Sequence, residues 1–426
     1  MKFETKNLNE VVFFQEGPGV RKFQFQSEGV KLLNVGNINN GVLNTGTTKL
    51  YISEEEAYGK YKHFLVDDGD LLIASSGIVV DNFHNKIAFA TAEDLPLCLN
   101  TSTIRFKSLN NSISLEYLKF FLKTSNFKNQ LKKLITGSAQ LNFGPSHLKQ
   151  IEIPFPILSD QNFITNILCR AENLIIQRKE SISLLDEFLK CTFLEMFGDP
   201  IRNEKGFGIR NLSEFYINPK DGTKCGPFGS ALKKEELTDF GIPVWTMYNI
   251  LKDGQFVFDG CLWISEKKYE ELKNYNTKNG DIIISRAGTV GKMCIIKTNY
   301  TSAIISSNLI RLRLGNKLLP IYFLSLMKYF QSKVIKLKQG NEDAYSHMST
   351  GILDKINFPY PPLELQNEFA NIVEKTETLK AQYQSSLQEL ENLYHSLSQQ
   401  AFKGELNAKD EELLMAAESR AEYKTK

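Results

Sequence analysis

The chain repeats itself, and that repeat limits its possible folds more than any other feature. KNLNE (6–10) matches RNLSE (210–214), 204 residues on, and GVKLLNVGNI (29–38) matches GIPVWTMYNI (241–250), 212 residues on. GDLLIASSG (69–77) returns as GDIIISRAG (280–288) after 211 residues, and LKQIEIPFPILSDQNF (148–163) as LDKINFPYPPLELQNE (353–368) after 205. The matches keep their order, and the drift in spacing is what loop insertions inside one copy produce. Such a chain is two copies of one structural unit.

Each copy has two parts. The first carries short runs of β-branched and aromatic residues: Val11–Phe14, Leu71–Ala74, Ile87–Ala90 and Ile151–Phe155 in one copy, Ile282–Ser285 and Ile304–Ser307 in the other. Gly, Asn and Asp separate them, as turns require. Helical periodicity follows at 115–133 and 321–337. This part reads as a mixed, mostly β domain with a few helices.

The second part is one long helix. In copy one the steps alternate four and three through Ile164, Leu168, Ala171, Ile175, Arg178, Ile182, Leu185, Leu189, Thr192 and Met196. That is a coiled-coil seam. Copy two repeats the register in Phe369, Val373, Thr376, Lys380, Tyr383, Leu387, Leu390, Tyr394, Leu397 and Ala401, softer at Thr376 and Lys380, where Leu379 is the apolar substitute. Arg178 faces Tyr383 in this register, as a polar register device or an aromatic stack. Asp160, and Glu364 or Gln366, suit the positive end of each helix. Each helix extends on the order of 50 Å.

Connectivity then sets the architecture. Helix one reaches the second copy through FGDPIRNEKGF (197–207), a turn-rich joint with Pro200 as helix stop. If both seams pair within the chain, helix two runs back antiparallel; the short joint disfavours a parallel pairing between two chains. The expected fold class is α+β: two mixed, mostly β domains separated by a long antiparallel two-helix coiled coil, a pseudo-two-fold tandem repeat. Its boundaries are 1–158 and 198–362 for the domains, 159–197 and 363–403 for the helices, and 404–426 for a charged tail expected to fray.

Composition excludes several classes. With 42% hydrophobic and 23% charged residues in 426, the chain is neither disordered nor a membrane protein, and no stretch reaches the roughly 18 apolar residues of a span. The opening MKFETKNLNE lacks a signal-peptide layout, and a cytoplasmic protein is expected. Six cysteines without a C-x-x-C pair fit buried thiols in a reducing compartment. The five histidines form no metal-ligand spacing, GTVGK (288–292) is too short for a phosphate loop, and no G-x-S-x-G elbow occurs. Asp199, Glu204 and Lys205 sit in the joint rather than on a sheet, and Pro361-Pro362 serves the helix start. No catalytic constellation, metal site or cofactor site is expected.

GDLLIASSG and GDIIISRAGTVGK, IEIPFPILSDQN and INFPYPPLELQN, and the joint EMFGDP together resemble the DNA-specificity (S) subunit of type I restriction-modification systems, over residues 1 to about 405. The resemblance implies that each globular part is a target-recognition domain for one half of a split, asymmetric sequence in double-stranded DNA. It implies that the paired helices act as a ruler and dock two methyltransferase subunits, with restriction-translocase subunits adding to the complex. It also implies a subunit with no active site, S-adenosylmethionine, ATP and Mg²⁺ belonging to its partners. The alternatives are a coiled-coil adaptor binding only proteins, the specificity subunit of another methylase-coupled defence system, and a standalone nuclease or methylase.

Under that reading, Ser138, Gln140 and Asn142 in TGSAQLNF (136–143) are candidate DNA contacts, since Gln and Asn pair bidentately with adenine. The counterpart GNEDAYSHMS (340–349) offers Asn341, Tyr345, Ser346 and His347. Arg286 and Lys292 have guanine- or phosphate-reading chemistry; copy one has Ser75 and Ser76 at the place of Arg286 and its neighbour, with Asn82, His84 and Lys86 nearby. Each of these residues also serves as an ordinary loop or turn cap. The outward helix faces, with Gln177, Lys179, Glu187 and Glu195, are the candidate surface for the methyltransferase.

Overall fold

The computed structural model describes residues 3–47, 49–135, 141–228, 231–251, 253–286, 291–337 and 349–423. It divides into two units, Met1–Glu180 with Gln384–Lys426, and Ser181–Tyr383.

In the first unit the run Leu71–Ala74 is buried throughout, because both faces of its sheet are covered. Leu71 and Ile73 join Ile104, Phe106, Tyr117, Phe120 and Phe127 in the main core, while Leu72 points into a smaller core with Leu33, Ala88, Leu97 and Leu99. A doubly covered strand reads as an unbroken apolar run. Its sheet is antiparallel, in the order Val12–Glu16, Thr103–Ser108, Leu71–Ala74, Ile87–Phe89. A second sheet sets Leu97–Leu99 parallel to Val30–Leu33, which pairs with Tyr51–Ile52. Ser114 and Thr124 start the helices Leu115–Lys123 and Ser125–Leu134, their hydroxyls accepting from the N–H of Tyr117 and Phe127.

The second unit repeats this plan. Thr223–Cys225, Leu309–Leu312, Ile282–Ser285 and Met293–Ile295 form the four-stranded sheet. Ile282 and Ile284 face Phe193, Tyr322 and Phe323; Ile283 faces Trp245, Cys294 and Ile305. Ile304–Ile305 runs parallel to Ile242–Trp245, the place that Leu97–Leu99 and Val30–Leu33 hold in the first unit.

Three repeated motifs turn out to be framework. In the Gly-Asp pair, Asp70 accepts from the N–H of Asp67 at 2.9 Å and pairs with Arg105; Asp281 accepts from the N–H of Lys278 at 2.7 Å and from Arg313 at 2.9 and 2.7 Å. Arg105 stands opposite Leu72 and Arg311 opposite Ile283, so the two arginines hold one register position, and each donates to a carbonyl, of Leu65 and of Asn276. The Gln of the strand-to-helix junction is buried in both units. Gln161 accepts from the N–H of Ser114 and donates to the carbonyls of Pro156 and Ser112; Gln366 accepts from the N–H of Leu319 and donates to the carbonyl of Pro361. The junction prolines also anchor tyrosines: Tyr117 donates to the carbonyl of Pro154 and Tyr322 to that of Pro359, both at 2.8 Å.

The long helices are Leu158–Phe197 and Leu363–Lys403. They pair antiparallel inside each unit. In the first, Lys179 meets Glu391 at 2.8 Å while Ile164 and Leu168 share a core with Leu397 and Ala401. In the second, Lys380 meets Asp186 at 2.6 Å while Phe193 and Phe197 pack on Phe369 at 5.6 and 5.3 Å. Ile164, Leu168, Phe369, Val373, Tyr383, Leu390 and Leu397 are buried; Ile175, Ile182, Leu185, Leu189 and Leu387 are half-buried. Leu174 and Phe197 lie deeper than their seam neighbours Ile175 and Met196, as expected when a 3.6-residue helix drifts from a 3.5-residue repeat. Lys380 stays in the seam at 5% exposure, and Leu379 does not replace it.

Two expectations change at the helix ends. The first helix stops at Gly198, left-handed at φ +70°, whose N–H bonds the carbonyl of Leu194; Pro200 only follows. Within the tail, Ala408–Tyr423 is not frayed but a helix that buries Leu414 in the first unit's core, with Arg170 gripping the Glu418 carboxylate at 2.8 and 2.5 Å. No described helix is long and apolar enough to cross a membrane.

Candidate nucleic-acid interface

Strand register brings the chemistry-bearing loops of each unit to one sheet edge. In the second unit, Gly226 donates to the carbonyl of Leu309, Arg286 to that of Asn308, and Ser285 to that of Lys292. The parallel pair ends at the same edge, Ser306 donating to the carbonyl of Trp245. The loops beyond these bonds form a rim with Phe228, Tyr248, Arg286 and Lys292. Tyr248 is 74% exposed, and the Arg286 guanidinium lies over the Phe228 ring at 4.6 Å.

The first unit builds its rim on matching bonds. Gly17 donates to the carbonyl of Thr103, and Ser75 to that of Ser102. Asn142 pairs with Ser76 across a short ladder, its Oδ1 accepting from Ser76 Oγ at 2.8 Å and from the N–H of Gly77 at 2.9 Å. Asn82 and His84 are exposed on the 3-10 segment Val80–Lys86. Lys86 turns inward, its amine donating to the carbonyls of Ile38 and Val35 and to Asn39 Oδ1. Asn100 Nδ2 donates to Asn34 Oδ1 at 2.7 Å. This rim is rich in amides and hydroxyls where the second unit's is aromatic and basic. Ser138, Gln140, Asn341, Tyr345, Ser346 and His347 lie outside the described residues.

Sequence reasoning missed Phe228 and Tyr248. A usable signal existed for Tyr248: NVGNI and TMYNI repeat, and their last Asn is fully buried in both units. Asn37 Oδ1 accepts from the N–H of Asn34 at 2.8 Å, and Asn249 Oδ1 from that of Thr246 at 2.7 Å. This framework displays the preceding residue, Gly36 or Tyr248.

Charge at the opposite end of these strands from the rims is tightly held. Burial pushes the Asp70 carboxyl up, beyond the pull of the Asp67 N–H, Lys107 and Arg105. Burial also acts on Asp221, but Arg313 and Arg311 outweigh it and hold that carboxyl below its ordinary range. Arg311 is fully buried, and desolvation together with Arg313 lowers its pKa. These groups are committed to one another and to the backbone. Among the described residues, no three His, Cys, Asp or Glu side chains gather where they could hold a metal.

Both copies of the repeat match a known family: the type I restriction modification DNA specificity domain, over residues 1–184 and 228–392. The MjaVIII specificity subunit of Methanocaldococcus jannaschii is 30% identical over 179 residues, 42% of this chain and 41% of that protein, so this match spans less than half of its length. The StySPI specificity subunit of Salmonella potsdam is 22% identical over 414 residues, 90% of this chain and 84% of that one. Among solved structures, the type I S subunit from M. genitalium aligns with a TM-score of 0.54 at 18% identity, over 94% of this chain and 96% of that one. A chain from a study of complex assembly in the type I system gives 0.55 at 17% identity, over 95% and 98%. The solved structures share the fold, the family match covers both copies, and the chain belongs to the type I restriction-modification specificity subunits.

Proposed function

We propose that this chain is the non-catalytic, DNA-reading subunit of a type I complex, each strand-edge rim reading one half of a bipartite, asymmetric target. The observation that carries this reading is one framework with two unlike rims. The buried Asp, Arg, Gln and Asn repeat between units, while the exposed side chains do not. Two unlike readers recognise two unlike half-sites. Phosphate contacts position each rim and base-edge contacts specify.

In this reading the long helices fix the gap between half-sites and dock two methyltransferase subunits through faces carrying Gln177, Lys179, Glu187 and Glu195, all exposed. Restriction-translocase subunits join that complex. S-adenosylmethionine, ATP and Mg²⁺ act on the partners, in the cytoplasm. The net charge of only +2 leaves much of the phosphate-binding surface to those partners.

A base-resolution methylome with and without the gene tests this. One split motif with two unlike halves loses adenine methylation on deletion, and tagged protein brings down a methyltransferase. An unchanged methylome together with no methyltransferase in the pull-down refutes the reading. Exchanging residues 208–360 for another such domain changes one half of the motif only.

A further inference from the structure

Two rim positions differ together between the units. Gly17-Pro18 and Gly226-Pro227 form the same turn, anchored by Gly N–H bonds of 3.2 and 3.0 Å to the carbonyls of Thr103 and Leu309. A Cβ on Gly17 would stand 2.4 Å from the Asn100 nitrogen, and one on Gly226 2.0 Å from the Ser306 oxygen, so this close approach requires glycine in both units. The residue after the turn is Gly19 in the first unit and Phe228 in the second. Across the rim, Ser75 and Arg286 also hold one place, their N–H groups donating to Ser102 at 2.8 Å and Asn308 at 3.0 Å. The first unit therefore has two small residues where the second has a ring and a guanidinium stacked 4.6 Å apart.

Folding alone does not account for the stack. Phe228 remains 56% exposed, so it buries little apolar surface. Arg286 Nη1 is shielded from solvent and has no acceptor among the described residues. A guanidinium fixed at its backbone, seated over a ring and carrying a donor that no described residue answers is preorganised for a planar acceptor. Phosphate needs no such preparation, because it accepts from many directions. The O6 and N7 atoms of guanine accept a fork in one plane.

We propose that Arg286 reads a guanine in the half-site of the second unit and that Phe228 positions it. This rests on the DNA-reading function proposed above. At the two matched places the first unit carries Gly19 and Ser75, neither of which can present a guanidinium.

The test is the methylome of a strain lacking the gene and complemented with full-length wild type, Arg286→Ala, Phe228→Leu, Phe228→Tyr or the Arg286→Ala/Phe228→Leu double variant. Arg286→Ala relaxes one G·C position in one half by on the order of tenfold to a hundredfold. Phe228→Leu relaxes that same position by about twofold to fivefold. Phe228→Tyr keeps wild-type stringency, and the double variant is no worse than Arg286→Ala. Uniformly reduced methylation with no relaxed position, relaxation at different positions, or failure of Phe228→Leu to co-purify with the methyltransferase overturns the proposal. If wild type restores no motif, the DNA-reading assignment itself fails.

Discussion

Asp70 and Asp281 hold one position in two units, yet they are neutralised differently. Asp281 is met by Arg313 through two bonds, with Arg311 and Asp221 completing a four-membered charge cluster. Asp70 has Arg105 at 3.4 Å and Lys107 at 3.7 Å, and Arg105 spends most of its donors on the carbonyls of Leu65 and His63 and on Gln15. The framework needs a buried carboxylate facing an arginine on the next strand, and it tolerates several ways of completing that pair. The rims carry no such requirement. Gly36 and Tyr248, and Gly19 and Phe228, occupy matched exposed places with unrelated chemistry, and the buried Ser75 holds the place of the half-buried Arg286. Conserved burial beneath divergent exposure lets one fold be reused for two recognition tasks.

The severest way to break this comparison is to remove the carboxylate. Asp281→Ala strands Arg311 and Arg313, 0% and 5% exposed, with Asp221 as their remaining carboxylate, and should destabilise the second unit by about 3–5 kcal/mol. Both tryptophans, Trp245 and Trp263, lie in that unit, so denaturant unfolding followed by tryptophan fluorescence reports on it. Asp70→Ala should weaken the first unit less, because Arg105 keeps its carbonyl partners; hydrogen exchange over Leu71–Ala74 measures that. Equal losses in both units would show that the carboxylate's surroundings do not matter.

The buried glutamines sharpen the same point, because here the units agree. Gln161→Ala unpairs the N–H of Ser114, and Gln366→Ala unpairs that of Leu319. Each should cost about 1–3 kcal/mol, with faster exchange at the start of the neighbouring helix. A large loss in one unit and none in the other contradicts a shared framework.

The sequence revealed these residues without their jobs. GDLLIASSG and the Gln of the junction stood out as repeats, but Asp70 finds Arg105 only when two distant strands pair, and no local spacing announces that. The long helices were legible because their periodicity is local. Gly198 is hard to recognise as the helix stop because Pro200 is the stronger local signal, although it is the left-handed turn at Gly198 that ends the helix. The docked C-terminal helix is hard to read from sequence because charge dominates its composition; among its described side chains, Leu414 is buried in the core and Ala417 packs against it. Phe228 was invisible for a different reason: exposure is a tertiary property, and an aromatic in a loop looks like core until the fold says otherwise.

Acid separates the units by sign. Asp221 sits below its ordinary range, so its stabilisation is present above the unfolded pKa of about 3.9 and is lost as pH falls through the lower folded value. Asp70 is raised, so the native state holds its proton more tightly; its contribution is full at acid pH and fades as pH rises through the unfolded pKa to the folded one. Asp221→Asn should therefore flatten the acid loss of the second unit, whereas Asp70→Asn should steepen that of the first. Denaturant midpoints by tryptophan fluorescence and exchange rates over Leu71–Ala74, between about pH 6 and 3, provide the two slopes. Parallel changes in both would contradict the opposite signs.

The smallest effect on stability should come from the rim. Tyr248 is 74% exposed on a turn whose geometry is set by Asn249, fully buried and bonded to the N–H of Thr246 and the carbonyl of Val257. In the first unit Asn37 makes the matching bond to Asn34 while the displayed residue is Gly36, so the turn forms without a side chain there. Tyr248→Ala should then unfold within about 0.5 kcal/mol of wild type. On the proposed function it should lower methylation of sites in the second half-site while assembly with the methyltransferase is retained. A large stability loss would mean that the displayed residue belongs to the framework after all, and the division between a repeated interior and a free rim would fail at a turn that both copies build on the same buried asparagine.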